Sequence, residues 1–232
     1  NNVANQNANI DERTFDGRGG EAADVAYRRF ALDYLLSDKA RENHLGNMIY
    51  IHDLNRYWQG MHNCLTLPID DLLAKGFKTK QTDVRPAQSV RAALNLVPIL
   101  FQLQSMCQFG GVSCSHLDWS LVPYVRKSFY KHFKKGLKYI TGEHIDGRLT
   151  GSTPIDDPLY RAANKKVYTY AMDMLEEELS QGVESMYHNL NTLNSRSSGQ
   201  LPFTSINYGT CTLPEGRLAT KAILEGSLKG VG

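Results

Sequence analysis

The chain has 232 residues, 41% hydrophobic and 22% charged, and its 26 lysines and arginines against 24 carboxylates leave a formal charge of +2. That balance gives no electrostatic case for a nucleic-acid partner, and the length allows a real buried core. No apolar run approaches the roughly 18 residues that a membrane span needs, so the expectation is a cytoplasmic chain without membrane contact.

Residues 1–20 are rich in asparagine and glycine and read as irregular. From Glu21 to Leu36 the spacing of Ala22, Val25, Ala26, Phe30 and Leu35 suits one apolar helical face. NMIYIHDL (47–54) is short, β-branched and aromatic, which predicts a buried strand ending at His52 and Asp53. Ser89 can cap a helix running to about Cys107, with Val90, Ala93, Leu94, Val97, Leu100, Phe101 and Gln104 along one side and a kink at Pro98. QFGG (108–111) breaks that pattern. A second helix over about 120–141 turns Phe129, Phe133 and Leu137 inward and Arg126, Lys127, Lys131, Lys134, Lys135 and Lys138 outward. Those cations are either a solvated face or, for one or two of them, an anion site.

Asp157 before Pro158 predicts a helix start, because the carboxylate caps and proline fits the first helical position. The helix after it carries Val167, Ala171, Met174, Leu175, Leu179, Val183, Met186 and Leu190 as a core stripe. After NSRSSGQ (194–200), the stretch LPFTSINYGT (201–210) alternates as a strand, with Phe203, Ser205 and Asn207 on one face. A last helix runs from Gly216 to Leu228. Strands separated by long helices indicate α/β architecture. The chain opens without methionine and stops just after this helical pattern, so it reads as a piece of something longer.

No dinucleotide fingerprint, P-loop, zincin or nucleophile-elbow motif is present. The four cysteines, Cys64, Cys107, Cys114 and Cys211, form no CxxC pair, which argues against a disulfide scaffold and a structural zinc site. Three places remain. His62-Asn63-Cys64 presents a sulfur that is a packed thiol, a metal ligand or a reactive group; its neighbours leave all three open. In NSRSSGQLPFTSINYGT, small residues let backbone N–H groups close on an anion or sugar, although turns use the same residues. The third is the break at SMCQFGG with its basic second helix.

Taken in order, NANIDERTFDGR, IYIHDLNRYWQGMHNCLTLPIDDLLAKGF, SMCQFGGVS and YHNLNTLNSRSSGQLPFTSINYGT resemble the anaerobic (class III) ribonucleoside-triphosphate reductases over nearly the whole chain. The resemblance implies one half of a ten-stranded α/β barrel of the glycyl-radical type, a single piece over 1–232 with dimer and effector helices at about 89–141. It implies reduction of ribonucleoside triphosphates by glycyl and thiyl radical chemistry. The glycyl radical, the second barrel half and a zinc region would lie C-terminal to this piece. Cys64 matches a barrel-strand cysteine facing the substrate, with Asn63 beside it, which would make 59–66 extended. His62, Arg196, Ser197, Ser198, Gly199, Gln200, Ser205 and Asn207 would hold the substrate. Gln104, Lys127 and Lys131 would meet dNTP or ATP effectors. The implied partners are a second copy of the chain, a radical-SAM activating enzyme with its iron–sulfur centre, and formate or a redoxin as reductant. Relatives with paired cysteines contrast with Cys64-Leu65 here, which leaves that reductant open. A different class of reading is a non-catalytic, dimerising, nucleotide-binding barrel half.

Overall fold

The computed structural model describes residues 15–60, 62–145, 147–193, 201 and 203–230. They fall into two compact units. The first is drawn from Asn1–Leu65, Gln102–Val112 and Leu193–Phe203, the second from Thr66–Phe101, Ser113–Thr192 and Thr204–Gly232.

In the first unit, α1 (Phe15–Phe30) passes directly into a wide π turn, Ala31–Leu35, so the helix expected over 21–36 is present and begins earlier. α2 (Asp38–Leu45) follows, capped by Ser37, whose side chain accepts from the Ala40 N–H. The strand expected over 47–54 does not form. Asn47 and Asp53 sit at φ 58° and 56°, a left-handed conformation that breaks an extended ladder at both ends. The Ile51 N–H goes to the His44 Nδ1 rather than to a strand, Met48 and Tyr50 are exposed, and only Leu54 is buried. β-branched composition matched a strand; the backbone at its two ends did not.

The second unit is organised by α5 (Leu117–Gly136), which ends in another π turn, Leu137–Thr141, and packs against α7 (Lys165–Thr192) and α8 (Pro214–Lys229). Leu117, Leu121, Val125, Phe129 and Phe133 recur every four residues on its buried face, as the 3.6-residue period requires. Tyr160 of the short helix α6 (Pro158–Ala163) meets Phe129 edge-on at 4.8 Å and Phe133 at 4.9 Å. Asp157 caps α6 by accepting from the Leu159 N–H at 2.9 Å, as expected. The single helix expected after Pro158 is instead two. Asn164 is extended (φ −164°, ψ 110°) and its side chain accepts from the Val167 N–H, so it ends α6 and caps α7.

α3 (Ile69–Lys75) leads into a hairpin of β2 (Phe77–Lys78) and β3 (Asp83–Val84), paired antiparallel with Phe77 opposite Val84. α4 (Val90–Ser105) starts under the cap of Ser89, continues through Pro98, and its last turn belongs to the first unit. A Cβ at Gly182 of α7 would overlap Leu94 of α4, so glycine allows that close helix approach.

The remaining strands, β1 (Leu65–Thr66), β4 (Val112–Cys114) and β5 (Thr204–Ile206), are ordered β1-β4-β5. Leu65 N–H donates to Gly111 O and Leu67 N–H to Ser113 O, so both partners advance by two together and the pairing is parallel. On β5 the exposed residue is Ser205, flanked by half-buried Thr204 and Ile206, the alternation read from the sequence. Among the described residues the architecture is mixed helix and sheet, with three parallel strands.

Candidate functional site

Cys64 is exposed and stands one residue before β1. The extended stretch expected over 59–66 is shorter than that: Tyr57–Gln59 is a 3-10 turn and Gly60 is left-handed at φ 63°. Residues 62–64 nevertheless lie along the glycine turn that follows α4. Phe109 N–H donates to His62 O at 3.1 Å, Gly110 N–H to Asn63 O, and Gly111 N–H to Cys64 Sγ at 3.4 Å. The Cys64 thiol in turn donates to Asn63 Oδ1 at 3.7 Å. A Cβ at Gly110 would overlap both Asn63 O and Asn63 Oδ1, so only glycine permits this approach. The QFGG break is therefore a surface against which HNC is laid. The His62 side chain is exposed.

Ser205 and Asn207 are both exposed in the second unit. The Asn207 backbone is fully used, its N–H donating to Cys114 O and its carbonyl accepting from Leu117 N–H, while its side chain stays outward. The turn beyond is anchored by Asp118, buried in α5, which accepts from Gly209 N–H at 2.9 Å and Cys211 N–H at 2.7 Å. Arg196, Ser197, Ser198, Gly199 and Gln200 lie outside the described residues.

The three effector candidates have different surroundings. Gln104 belongs to the first unit, where its Nε2 donates to Gln108 Oε1 at 2.8 Å. Lys127 donates to Ala87 O at 3.3 Å and lies over the Tyr124 ring, 5.3 Å from its centroid. Lys131 instead lines a cavity of about 450 Å³ in the second unit, with Arg91, His132, Glu177, Glu178 and Gln181. Glu178 accepts from His132 Nε2 at 2.7 Å, from Ser128 Oγ at 3.0 Å and from Arg91 N–H at 3.4 Å. Burial alone would raise its carboxyl pKa; the His132 and Ser128 hydrogen bonds, with the His132 charge and the Arg91 N–H, outweigh burial and hold it below the usual value of 4.5. A carboxyl with a depressed folded pKa contributes stability that is present above the unfolded value and lost as pH falls through the folded one. Glu178→Gln is accordingly expected to flatten the acid limb of the melting temperature below about pH 4.5, read by calorimetry. An unchanged acid limb would remove Glu178 as its source.

A second cavity, also about 450 Å³, opens where β1 and β4 end, the edge at which parallel sheets gather ligand groups. There Thr66 Oγ1 meets Ser113 Oγ at 2.6 Å and His116 Nε2 meets Asp70 Oδ2 at 2.9 Å. Burial pushes the Cys114 thiol pKa up, so that sulfur stays protonated and unreactive. Among the described residues, no group of three or more histidine, cysteine and carboxylate side chains could hold a metal ion, and no helix is long and apolar enough to cross a membrane.

The family model described as Anaerobic ribonucleoside-triphosphate reductase matches residues 6–232. The chain belongs to this family. Curated relatives named anaerobic ribonucleoside-triphosphate reductase agree over 99% of the chain: 25% identical in Haemophilus influenzae and in Enterobacteria phage T4, and 24% in Escherichia coli. The chain spans 29% of the Haemophilus and Escherichia proteins and 34% of the phage protein. Within this reductase-family chain, sequence reasoning passed over Gln108, Asp118 and the His116–Asp70 pair. Gln108 carried one usable signal, its place immediately before a Phe-Gly-Gly turn. The His116–Asp70 pair carried none, since its members are 46 residues apart and meet only through strand pairing.

Proposed function

We propose that the chain is the substrate- and effector-binding half of an anaerobic ribonucleoside-triphosphate reductase barrel, and that Cys64 faces the ribose. The observation that carries this is the placement of Cys64: an exposed thiol at the start of a parallel strand, backed by a glycine turn whose N–H reaches the sulfur. A glycyl radical in the C-terminal part of the complete protein would supply the oxidising equivalent. The role of Cys64 is to give a hydrogen atom to the ribose 2′ carbon. Its S–H bond breaks, a C–H bond forms, and the sulfur is left one electron short until formate or a redoxin restores it. Asn63 accepts the S–H beforehand and fixes its direction. The other half of the ten-stranded barrel and a radical-SAM activating enzyme belong to the same proposal.

Ser205 and Asn207, two apart on one strand face, both reach one ligand. With Arg196, Ser197, Ser198, Gly199, Gln200 and His62 they hold the ribonucleoside triphosphate. The dNTP or ATP effector goes to the cavity of Lys131. α5 buries its apolar stripe against α7 and α8 of its own chain, which supports placing the two-fold homodimer contact on outward residues such as Ile99 of α4.

The test is anaerobic turnover by the protein in its complete reading frame, with its activase, a ribonucleoside triphosphate and formate. Deoxynucleotide is expected; nucleotide binding without product would favour the non-catalytic module instead. Within the same enzyme, replacing Ser197 and Gly199 together by leucine is expected to weaken substrate binding by one to two decades, since each hydrogen bond to charge is worth about 1.5–3 kcal/mol. Effector affinity falling while substrate affinity holds would assign the loop to regulation.

A further inference from the structure

Two contacts fix the direction of the Cys64 thiol, to Asn63 Oδ1 and from Gly111 N–H, and each is held in turn by a residue outside the HNC motif. Asn63 Nδ2 donates to Asp53 Oδ2 at 3.1 Å, and the same oxygen takes His52 Nδ1 at 2.7 Å. A carboxylate only accepts, so it forces the Asn63 amide to turn its NH2 group toward Asp53. Asn63 Oδ1 is thereby left facing the sulfur, where it accepts the Cys64 S–H. From the other side, Gln108 is 2% exposed, and its Nε2 donates to Gly111 O at 2.6 Å and to Gly110 O and Asn63 O at 3.3 Å each. Its orientation is set as well, because Gln104 Nε2 donates to Gln108 Oε1. That clamp holds the Gly110–Gly111 turn in place, so the Gly111 N–H occupies the sulfur's lone pair.

We infer that Asp53 and Gln108 are positioning residues for Cys64: Asp53 sets which end of the Asn63 amide meets the thiol, and Gln108 locks the glycine turn that supports the sulfur. This rests on the reading above, that Cys64 delivers a hydrogen atom. Without Asp53 the Asn63 amide is free to rotate by half a turn, presenting NH2 to the sulfur and turning the S–H away. Asp53 also holds φ 56°, where a non-glycine residue is strained and where asparagine and aspartate are the best tolerated. Backbone strain at such a place is consistent with a side chain retained for its contacts.

The variants follow from that backbone. Asp53→Gly keeps the left-handed conformation and removes only the carboxylate. Asp53→Asn keeps an oxygen for the Asn63 amide. Both are made in the complete enzyme, beside Gln108→Met and Cys64→Ala, and turnover is measured with glycyl-radical content by electron paramagnetic resonance. Asp53→Gly and Gln108→Met are expected to lower kcat at least tenfold, with KM within twofold and radical content unchanged, and Asp53→Asn to recover kcat to within threefold of wild type. An unaltered kcat in Asp53→Gly overturns the inference. So does an Asp53→Asn enzyme as slow as the glycine variant, which would make the charge the functional element. Loss of radical content or a tenfold rise in KM would assign both residues to the scaffold. If Cys64→Ala itself turns over normally, the reading of Cys64 fails; if it is inactive while Asp53→Gly is unimpaired, only the positioning role fails.

Discussion

Cys64→Ser in the complete enzyme is expected to abolish deoxynucleotide formation while the glycyl radical still forms. The substitution is close to isosteric. A hydroxyl can accept from the Gly111 N–H and donate to Asn63 Oδ1, the two contacts the thiol makes, so the local structure has no reason to change. What changes is the strength of the bond to hydrogen. An S–H bond is weak enough to exchange its hydrogen with a carbon radical, and an O–H bond is not. A loss of a thousandfold or more in kcat corresponds to about 4 kcal/mol in the barrier, and substrate affinity is expected to stay near wild type. Radical content by electron paramagnetic resonance and product by chromatography decide it together. Normal turnover would leave Cys64 as an exposed thiol with no part in the reaction. A missing glycyl radical would instead show that the mutation disturbs activation, and would leave Cys64 without an assigned step.

The contacts around Cys64 were partly legible because they are local. HNC and QFGG each announce themselves, one by residue type and one by glycine, and the strand alternation of 203–207 placed Ser205 and Asn207 on one face correctly. The helices at α4, α5, α7 and α8 were legible for the same reason that their apolar stripes are buried: one period governs both. Failures came where the deciding interaction is not periodic. NMIYIHDL has strand composition, but left-handed residues at Asn47 and Asp53 turn it into a loop. Asn164 divides a helix that the apolar stripe alone would run straight through, because its side chain caps the next one. Gln108 and Asp118 are buried polar side chains that bond mainly to backbone groups, and a hydrogen bond to backbone leaves no trace in the partner's residue type. The basic face of α5 illustrates the limit best. Lys127 and Lys131 are indistinguishable in sequence, one turn apart, yet one is tied to Ala87 O and the Tyr124 ring while the other lines a cavity.

That difference makes the effector proposal separable by mutation. Reversing Lys131 and Arg91 together to glutamate is expected to weaken effector binding by two decades or more. Both line the cavity together with Glu177 and Glu178, so the reversal replaces its two exposed cations by carboxylates and gives it four acidic side chains in all. Each cation-to-phosphate hydrogen bond is worth about 1.5–3 kcal/mol and each 1.4 kcal/mol is a decade, so two lost contacts already account for the expected change before repulsion is added. Salt will soften the effect, since both cations are exposed, and the measurement belongs at low ionic strength. Lys127→Ala is the comparison on the same helix. It removes a side chain already committed within the fold, so effector affinity is expected to hold while thermal stability falls slightly. Titration calorimetry with dNTP and ATP on the complete enzyme reads both. Equal affinity in wild type and the double reversal would mean that the cavity takes no effector and that the cations of α5 are a solvated face. Equal losses for Lys127→Ala and the double reversal would mean that the helix as a whole, and not the cavity, sets the affinity.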